Sequence, residues 1–302
     1  MSAVLVTGGS GFLGSHIADT LTARGIDVTI LDRQASPYLQ PGQTMVVGDI
    51  SDPRALAAAA AGCDAVFHLA GFADLNEART RPVETATTNL VGTLNVLEAA
   101  RNAGVQRFVF ASTVYVYSRA GGFYRCSKQA CEEYIDEYQR QFGLDYTILR
   151  FGSLYGPRAD EANGVHRLLL HAARGERIRH VGTPGDTREY VHVEDAARLS
   201  ADALAPEFAN QHLVITGQHA MTLENLFTMF SEILGRSLDV EYVDPPEGRY
   251  DAHYRVTPYA FNPRVGRKLT STCYVDMGQG LLQMLEQLHG DGRLGAEPRE
   301  DA

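Results

Sequence analysis

Two hydrophobic patterns alternate along the first 150 residues. Short unbroken apolar runs such as Ala3-Val-Leu-Val-Thr7 predict buried strands, whereas apolar residues every three or four positions, as at Phe12, Leu13, Ile17 and Leu21 within Phe12–Arg24, predict helices. Gly25 stops the first helix, and Asp27–Leu31 and Met45–Val47 read as the second and third strands. Pro53 opens an alanine-rich helix through Ala61, Ala65–Leu69 is a fourth strand, and Val83–Asn102 a long helix. Arg107–Ala111, a helix over Tyr124–Phe142 and the strand Tyr146–Leu149 follow.

Strands separated by helices return to one sheet through right-handed crossovers and so run parallel. The expected fold class is α/β, a Rossmann-type doubly wound parallel sheet. After Gly156-Pro157 the pattern loosens into helices near Val165–Ala173, Val193–Leu204, Leu223–Leu234 and Val275–Leu288 with short strands between, which predicts a smaller mixed α/β lobe. The expected organisation is a sheet domain over 1–155, a lobe over 156–289 whose chain can cross back to the first domain, and a polar, flexible tail over 290–302.

Composition narrows the function classes. With 302 residues and 44% hydrophobic side chains, one substantial core and a smaller one can be buried. The formal net charge of −10 and the lack of a basic run argue against nucleic-acid binding. No stretch reaches the roughly 18 apolar residues of a membrane helix, and the N-terminus runs straight into a strand pattern, so no membrane association and a cytoplasmic location are expected. Cys63, Cys126, Cys131 and Cys273 have no CxxC spacing, which predicts reduced thiols, and no metal site is expected.

Gly9-x-Gly11-x-x-Gly14 lies between a strand and a helix, the context of a dinucleotide site. Glycines there permit a tight turn and close approach of a pyrophosphate to free amides at the helix's positive end. Asp32, ending the second strand, suits the adenosine ribose hydroxyls and would repel a 2′-phosphate, so NAD is expected over NADP, with Arg33 next door partly offsetting that repulsion.

Tyr124 and Lys128 are one helical turn apart on one face, and a cation so placed is expected to lower the phenol's pKa. Ser112 and Thr113 follow the fifth strand, near the carboxyl edge where such sheets bind ligands, and either hydroxyl could hold a substrate hydroxyl or carbonyl. The chain has 25 arginines and only two lysines, Lys128 and Lys268.

Together these features resemble the extended short-chain dehydrogenases/reductases, specifically the NAD-dependent nucleotide-sugar epimerase/dehydratase group. The resemblance rests on Thr7-Gly8-x-x-Gly11-x-x-Gly14, Gly48-Asp49-Ile50, His68-Leu-Ala-Gly71, Asn89-x-x-Gly92-Thr93, Ser112-Thr113, Tyr124-x-x-x-Lys128, Arg150 with Tyr155-Gly-Pro-Arg158, and Arg188-Glu-Tyr-Val-His-Val-Glu-Asp195, and extends to about Leu288. It implies a cofactor set of Gly8, Gly11, Phe12, Leu13, Gly14, Asp32, Arg33, Asn89, Tyr124 and Lys128, with Asp49 and Ile50 flanking adenine and Leu69, Ala70 and Gly71 on the nicotinamide side. It further implies Thr113 as the catalytic hydroxyl, Tyr124 as general acid/base and Lys128 on the nicotinamide ribose. Ser153, Arg188 and Arg249 would contact a nucleotide-diphosphate sugar, and the helices Val83–Asn102 and Tyr124–Phe142 resemble those that pair in homodimers of the family.

Four departures qualify the resemblance. Dehydratases of the group carry Asp-Glu after the catalytic threonine and uronate decarboxylases a glutamate there, whereas this chain has Val114 and Tyr115. That favours chemistry needing one hydride and one proton: 4-epimerisation through a 4-keto sugar that rotates and is reduced on its other face, with NAD regenerated. The alternatives are an NAD(P)H-dependent 4-ketoreductase and, more remotely, a non-catalytic NAD-binding sensor. The link from Thr113 to Tyr124, with Gly121-Gly122, is shorter than usual, which predicts a more open pocket; Ser153 stands where many relatives have asparagine; and Ser118 replaces the glycine usual after Val116-Tyr117.

Overall fold

The computed structural model describes residues 1–244 and 254–258, all within one compact unit, Met1–Asn262. Its centre is a seven-stranded, wholly parallel sheet. From the N-terminus come β1 (Ala3–Thr7), α1 (Phe12–Ala23), β2 (Asp27–Asp32), β3 (Gln43–Val47), α2 (Pro53–Ala60) and β4 (Ala65–His68). Next are α3 (Leu75–Thr80), α4 (Pro82–Ala86), α5 (Gly92–Asn102), β5 (Arg107–Thr113), α6 (Gly122–Phe142), β6 (Asp145–Phe151), β7 (Ser153–Tyr155) and α7 (Gly164–Arg174). The rest is β8 (Ile178–Val181), β9 (Thr187–His192), α8 (Val193–Asp202), β10 (Gln211–Ile215), β11 (Ala220–Thr222), α9 (Leu223–Leu234) and β12 (Val240–Val243).

The large sheet has the order β3-β2-β1-β4-β5-β6-β10, so the chain reverses direction across the sheet between β1 and β4. That reversal opens a crevice at the carboxyl ends of the strands, where ligands of such sheets bind. Both faces are covered, which is why the strands are nearly continuous apolar runs. Leu56, Val96, Leu97, Cys131 and Ile135 from α2, α5 and α6 pack on one face, and Ile17, Leu21, Ala196, Ala197 and Ala201 from α1 and α8 on the other. Phe67, Phe108 and Phe110 lie fully inside, each contributing about 2–3 kcal/mol of transfer free energy.

A separate small core of Ala172, Ile178, Leu226, Phe227 and Phe230 joins α7 and α9 to the two-stranded pair β8-β12. A three-stranded sheet, β11-β9-β7, draws β9 and β11 from between β8 and α9 and β7 from before α7. The stretch after residue 155 therefore divides: α8 and β10 return to the large sheet, and the others build the second core.

The helix expected over Val83–Asn102 is interrupted. A π-turn, Thr87–Val91, separates α4 from α5, and within it Asn89 is 2% exposed. Its amide accepts from the Phe72 N–H (2.6 Å) and donates to the Phe72 carbonyl (3.0 Å) and the Ser127 hydroxyl (2.9 Å). Such turns recur at functional sites because they re-aim one side chain without ending the helix. The helix expected at Val275–Leu288 and the tail from Gly290 lie outside the described residues.

Candidate active site

The glycine turn is built by close backbone approach. Gly8 has φ of +74°, and a Cβ on it would lie 2.6 Å from the Ala70 nitrogen; a Cβ on Gly14 would overlap the Gly8 carbonyl oxygen. The Gly8 N–H donates to the Leu31 carbonyl and the Gly11 N–H to the Gly8 carbonyl. No side chain caps α1 at Gly11, so the amides of its first turn are left without intrahelical acceptors. A bare helix end beside a crevice suits a pyrophosphate.

Asp32 accepts the Ser10 N–H (3.0 Å) and the Arg33 N–H (2.7 Å), fixing its carboxylate beside the turn. Asp32, exposed Arg33, Asp49 and Ile50 line a cavity of about 410 Å³ with Leu69 and Ala70. Hydrogen bonds from Ser51 and the nearby Arg33 charge hold the Asp49 carboxyl below its ordinary range. Gly8, Gly11, Leu69 and Gly71 also line the next cavity, about 350 Å³, so the two are contiguous. Phe12, Leu13 and Gly14 join there, whereas Asn89 sits behind the wall and fixes the Phe72 backbone. These residues fit a dinucleotide in shape and in hydrogen-bonding chemistry.

Thr113, Tyr124 and Lys128 meet on the far wall of that inner cavity. Thr113 ends β5, 5% exposed; its hydroxyl accepts the Tyr115 N–H (3.3 Å) and lies close enough to the Tyr124 phenol to lower its pKa. Lys128 is 6% exposed; its Nζ donates to the Ala111 carbonyl (2.7 Å) and lies 4.6 Å from the Phe110 ring centre. Ser112 differs: its hydroxyl donates to the Glu132 carboxylate, so the structure separates two hydroxyls that their position after the strand left equivalent.

One expectation about Tyr124 is corrected. Instead of being lowered by Lys128, the phenol is pushed up to about 12 by burial, against a smaller lowering by Thr113. The ammonium is engaged with a backbone carbonyl and lies 5.9 Å from the Tyr124 ring centre, and desolvation also lowers the pKa of Lys128. Below them His68 bridges the hydroxyls of Thr7 (2.7 Å) and Thr93 (2.9 Å), and burial with the Lys128 charge lowers its pKa to about 3, keeping it neutral.

The short link before Tyr124 is built on a glycine turn. Gly121 and Gly122 both have left-handed φ, and a Cβ on Gly121 would lie 2.8 Å from the Tyr115 ring. The glycine turn lets Tyr115 into the site, edge-on to Tyr124 (6.4 Å between ring centres) and 4.7 Å from Tyr254. Tyr254 in turn carries the Arg188 guanidinium at 4.6 Å, and its hydroxyl is 3.2 Å from that of Ser153. Arg188 Nη1 donates to the carbonyls of Thr187 and Arg255.

Ser153 and Arg188 line an outer cleft of about 330 Å³, with Arg167, His180 and Tyr190, that shares Tyr115, Gly152 and Leu154 with the inner cavity. The cysteines Cys63, Cys126 and Cys131 are free. Arg249 and Cys273 lie outside the described residues. Sequence reading missed Tyr254, Arg167 and His180, which belong to no motif and reach the cleft only through the fold.

A doubly wound sheet with a glycine cradle, a bare helix end and a Tyr/Lys pair at its switch point defines a dinucleotide-binding protein of the Rossmann class. Residues 4–215 match the pattern of the NAD dependent epimerase/dehydratase family, and the chain belongs to that family; its cofactor is NAD. Among solved structures it resembles UDP-glucose 4-epimerase from Thermotoga maritima with UDP-glucose (30% identity, TM-score 0.77, covering 86% of this chain and 90% of that one). It also resembles the Thermus thermophilus UDP-glucose 4-epimerase complex with NAD (29%, TM-score 0.75, 88% and 95%). It is 28% identical over 301 residues, 91% of each chain, to a UDP-N-acetyl-alpha-D-glucosaminuronate decarboxylase from Bacillus cytotoxicus. Relatedness thus fixes an NAD-dependent enzyme family containing more than one reaction, and the choice among them falls to the site.

Proposed function

We propose that the chain is a nucleotide-sugar 4-epimerase. The observation that carries this is the lining of the inner cavity: among the described residues it holds Thr113, Tyr124 and Lys128 but no carboxylate, and the position after Val114 is Tyr115. Elimination or decarboxylation in this family calls on an acid/base there, whereas reversible oxidation of one alcohol needs a single proton carrier. The likeness to two UDP-glucose 4-epimerases points the same way.

In this reading Gly8, Gly11, Phe12, Leu13 and Gly14 hold the pyrophosphate, Asp32 and Arg33 the adenosine ribose, Asp49 and Ile50 the adenine, and Leu69, Ala70 and Gly71 the nicotinamide side. Asn89 acts by fixing Phe72. Bound NAD supplies hydride acceptance and return at the sugar's C4. Tyr124 takes the C4 hydroxyl proton as the alcohol is oxidised and returns it when the 4-keto group, turned over in the pocket, is reduced. Thr113 holds the reacting oxygen and the Tyr124 phenol in one hydrogen-bonded line, and Lys128 holds the nicotinamide ribose. A phenol whose pKa is pushed up to about 12 is a strong base but scarcely ionised at neutral pH, and a cationic cofactor ring held in this cavity would favour its phenolate.

Arg188, seated on Tyr254, takes the diphosphate, with Ser153 near the sugar; a guanidinium fork suits phosphate oxygens. Arg249 joins this set by motif alone. The sheet domain is continuous to about residue 155 and regains α8 and β10 after it; the other elements from 156 onward carry the substrate side. We read the protein as a cytoplasmic homodimer; no helix among the described residues is long and apolar enough to cross a membrane, and Val83, Phe123 and Tyr134 on α4 and α6 expose large apolar surfaces suited to self-association.

The test is to incubate the purified protein with a panel of UDP- and dTDP-hexoses. The expected product is the 4-epimer, formed without net consumption of dinucleotide. Product that appears only with stoichiometric NADH or NADPH and contains no isomer of the starting sugar would replace this reading with the ketoreductase.

A further inference from the structure

Glu132 and Arg150 take no part in the mechanism above, yet the first is buried and the second half-buried beside it. Glu132 lies on α6 one turn beyond Lys128 and two beyond Tyr124, and is 6% exposed. Its carboxylate receives a two-pronged bond from Arg150 on β6, Nε at 3.1 Å and Nη2 at 2.6 Å, and also accepts the Ser112 hydroxyl. Arg150 in turn donates through Nη1 to the Tyr117 hydroxyl at 2.6 Å and stacks on that ring at 4.7 Å, while Nη2 meets His212 Nδ1 of β10 at 2.8 Å. Despite burial, the nearby His212 and the bonds from Arg150 hold the Glu132 carboxyl below its ordinary range, so the pair is charged.

What this network grips is informative. Ser112 immediately precedes Thr113, and Tyr117 closes the 3-10 turn, Val114–Tyr117, that immediately follows it. The chain is therefore held on both sides of Thr113. The grip is anchored on the helix that carries Tyr124 and Lys128, so the register between the end of β5 and the start of α6 is fixed by side chains rather than by the sheet's ladder. A misplacement well under 1 Å is enough to spoil proton transfer along a hydrogen bond.

We propose that Glu132 and Arg150 are positioning residues that set the Thr113–Tyr124 distance through Ser112 and Tyr117. This rests on the proposed role of Thr113 and Tyr124 as the proton-transfer pair. Deleting either charge would leave its partner buried and unpaired and risks unfolding the chain. The informative variants are therefore S112A, Y117F and their combination, which loosen the grip and leave the ion pair intact.

Turnover is measured on the nucleotide hexose most active in the panel above and expressed per dinucleotide-loaded site, so that loss of folded protein cancels. The combined variant is expected to lose about 10- to 50-fold in kcat, more than either single change, with KM and dinucleotide retention within about twofold. A substrate-free readout accompanies it: in protein labelled with ¹³Cζ-tyrosine, the Tyr124 signal, assigned by its loss in Y124F, should shift and broaden at neutral pH in the combined variant as its Thr113 neighbour loses a fixed position. A kcat within twofold of wild type together with an unmoved Tyr124 signal overturns the proposal. If Y124F itself retains full turnover, the reading of the mechanism fails instead, and the labelled signal still decides whether the grip positions Thr113.

Discussion

With cofactor on the glycine-turn side and substrate on the outer-cleft side, as proposed above, the two sides of this crevice are made of different material. On the cofactor side, backbone does the positioning: a glycine that only a left-handed φ accommodates, a glycine whose Cβ would overlap a carbonyl, and a carboxylate fastened to two amides within the same turn. On the substrate side, side chains do it. Tyr115, Tyr254 and Arg188 stack on one another from three separate parts of the chain. A backbone site is rigid and intolerant of any added atom, while a side-chain site can be retuned one residue at a time, which lets one cofactor fold serve different sugars.

The sharpest way to break the contrast is at Gly14. Gly14→Ala places a methyl against the Gly8 carbonyl; overpacking of this kind costs about 1–3 kcal/mol, and dinucleotide retention after gel filtration should be lost. A variant that keeps its dinucleotide would show that the turn is softer than described. Tyr124→Phe should leave retention intact and lower kcat about 10²- to 10⁴-fold, the usual worth of a positioned acid/base. Unchanged turnover in a steady-state assay removes the proposed chemistry.

A milder effect is expected on the other side. Tyr254→Ala withdraws the platform under Arg188 and the neighbour of Tyr115, and should raise KM for the nucleotide sugar about tenfold with dinucleotide retention unchanged. An equal loss of dinucleotide would merge the two sides into one site.

The smallest effect concerns acid. His68 is neutral in the fold, with a pKa lowered to about 3 from 6.5, so its contribution to stability is complete above pH 6.5 and fades as pH falls toward 3. The carboxylates held low, Asp49 and Glu98, lose theirs only below about pH 4.5. Between pH 6.5 and 5 the folded state should therefore lose up to about 2 kcal/mol, read by chemical denaturation, and His68→Gln should flatten that step.

How far each part was legible follows from the range of the forces involved. Most strands and helices of the first 150 residues could be located from periodicity because both faces of the sheet are covered; α3 (Leu75–Thr80) went unread. The interruption at Thr87–Val91 was not legible, because Asn89 bends the helix through bonds to Phe72 and Ser127, 17 and 38 residues away. Tyr124 and Lys128 could be paired from their spacing, but the sign of the phenol's shift could not, since it depends on burial. Nor does spacing say that Ser112 turns to Glu132 and Thr113 to Tyr124; neighbours on a strand point to opposite faces, and only the packing of α6 says which face is which.

By itself the sequence determined the parallel sheet, the glycine turn and the placing of Tyr124 and Lys128 one helical turn apart, because each is specified within one strand–turn–helix segment and held by local backbone geometry. The tertiary structure alone decided that Tyr115 enters the space beside Gly121, that Tyr254 and Arg188 complete the outer cleft, and that Glu132 and Arg150 grip the chain around Thr113. Those contacts join residues far apart in sequence, and burial sets their geometry and their charge.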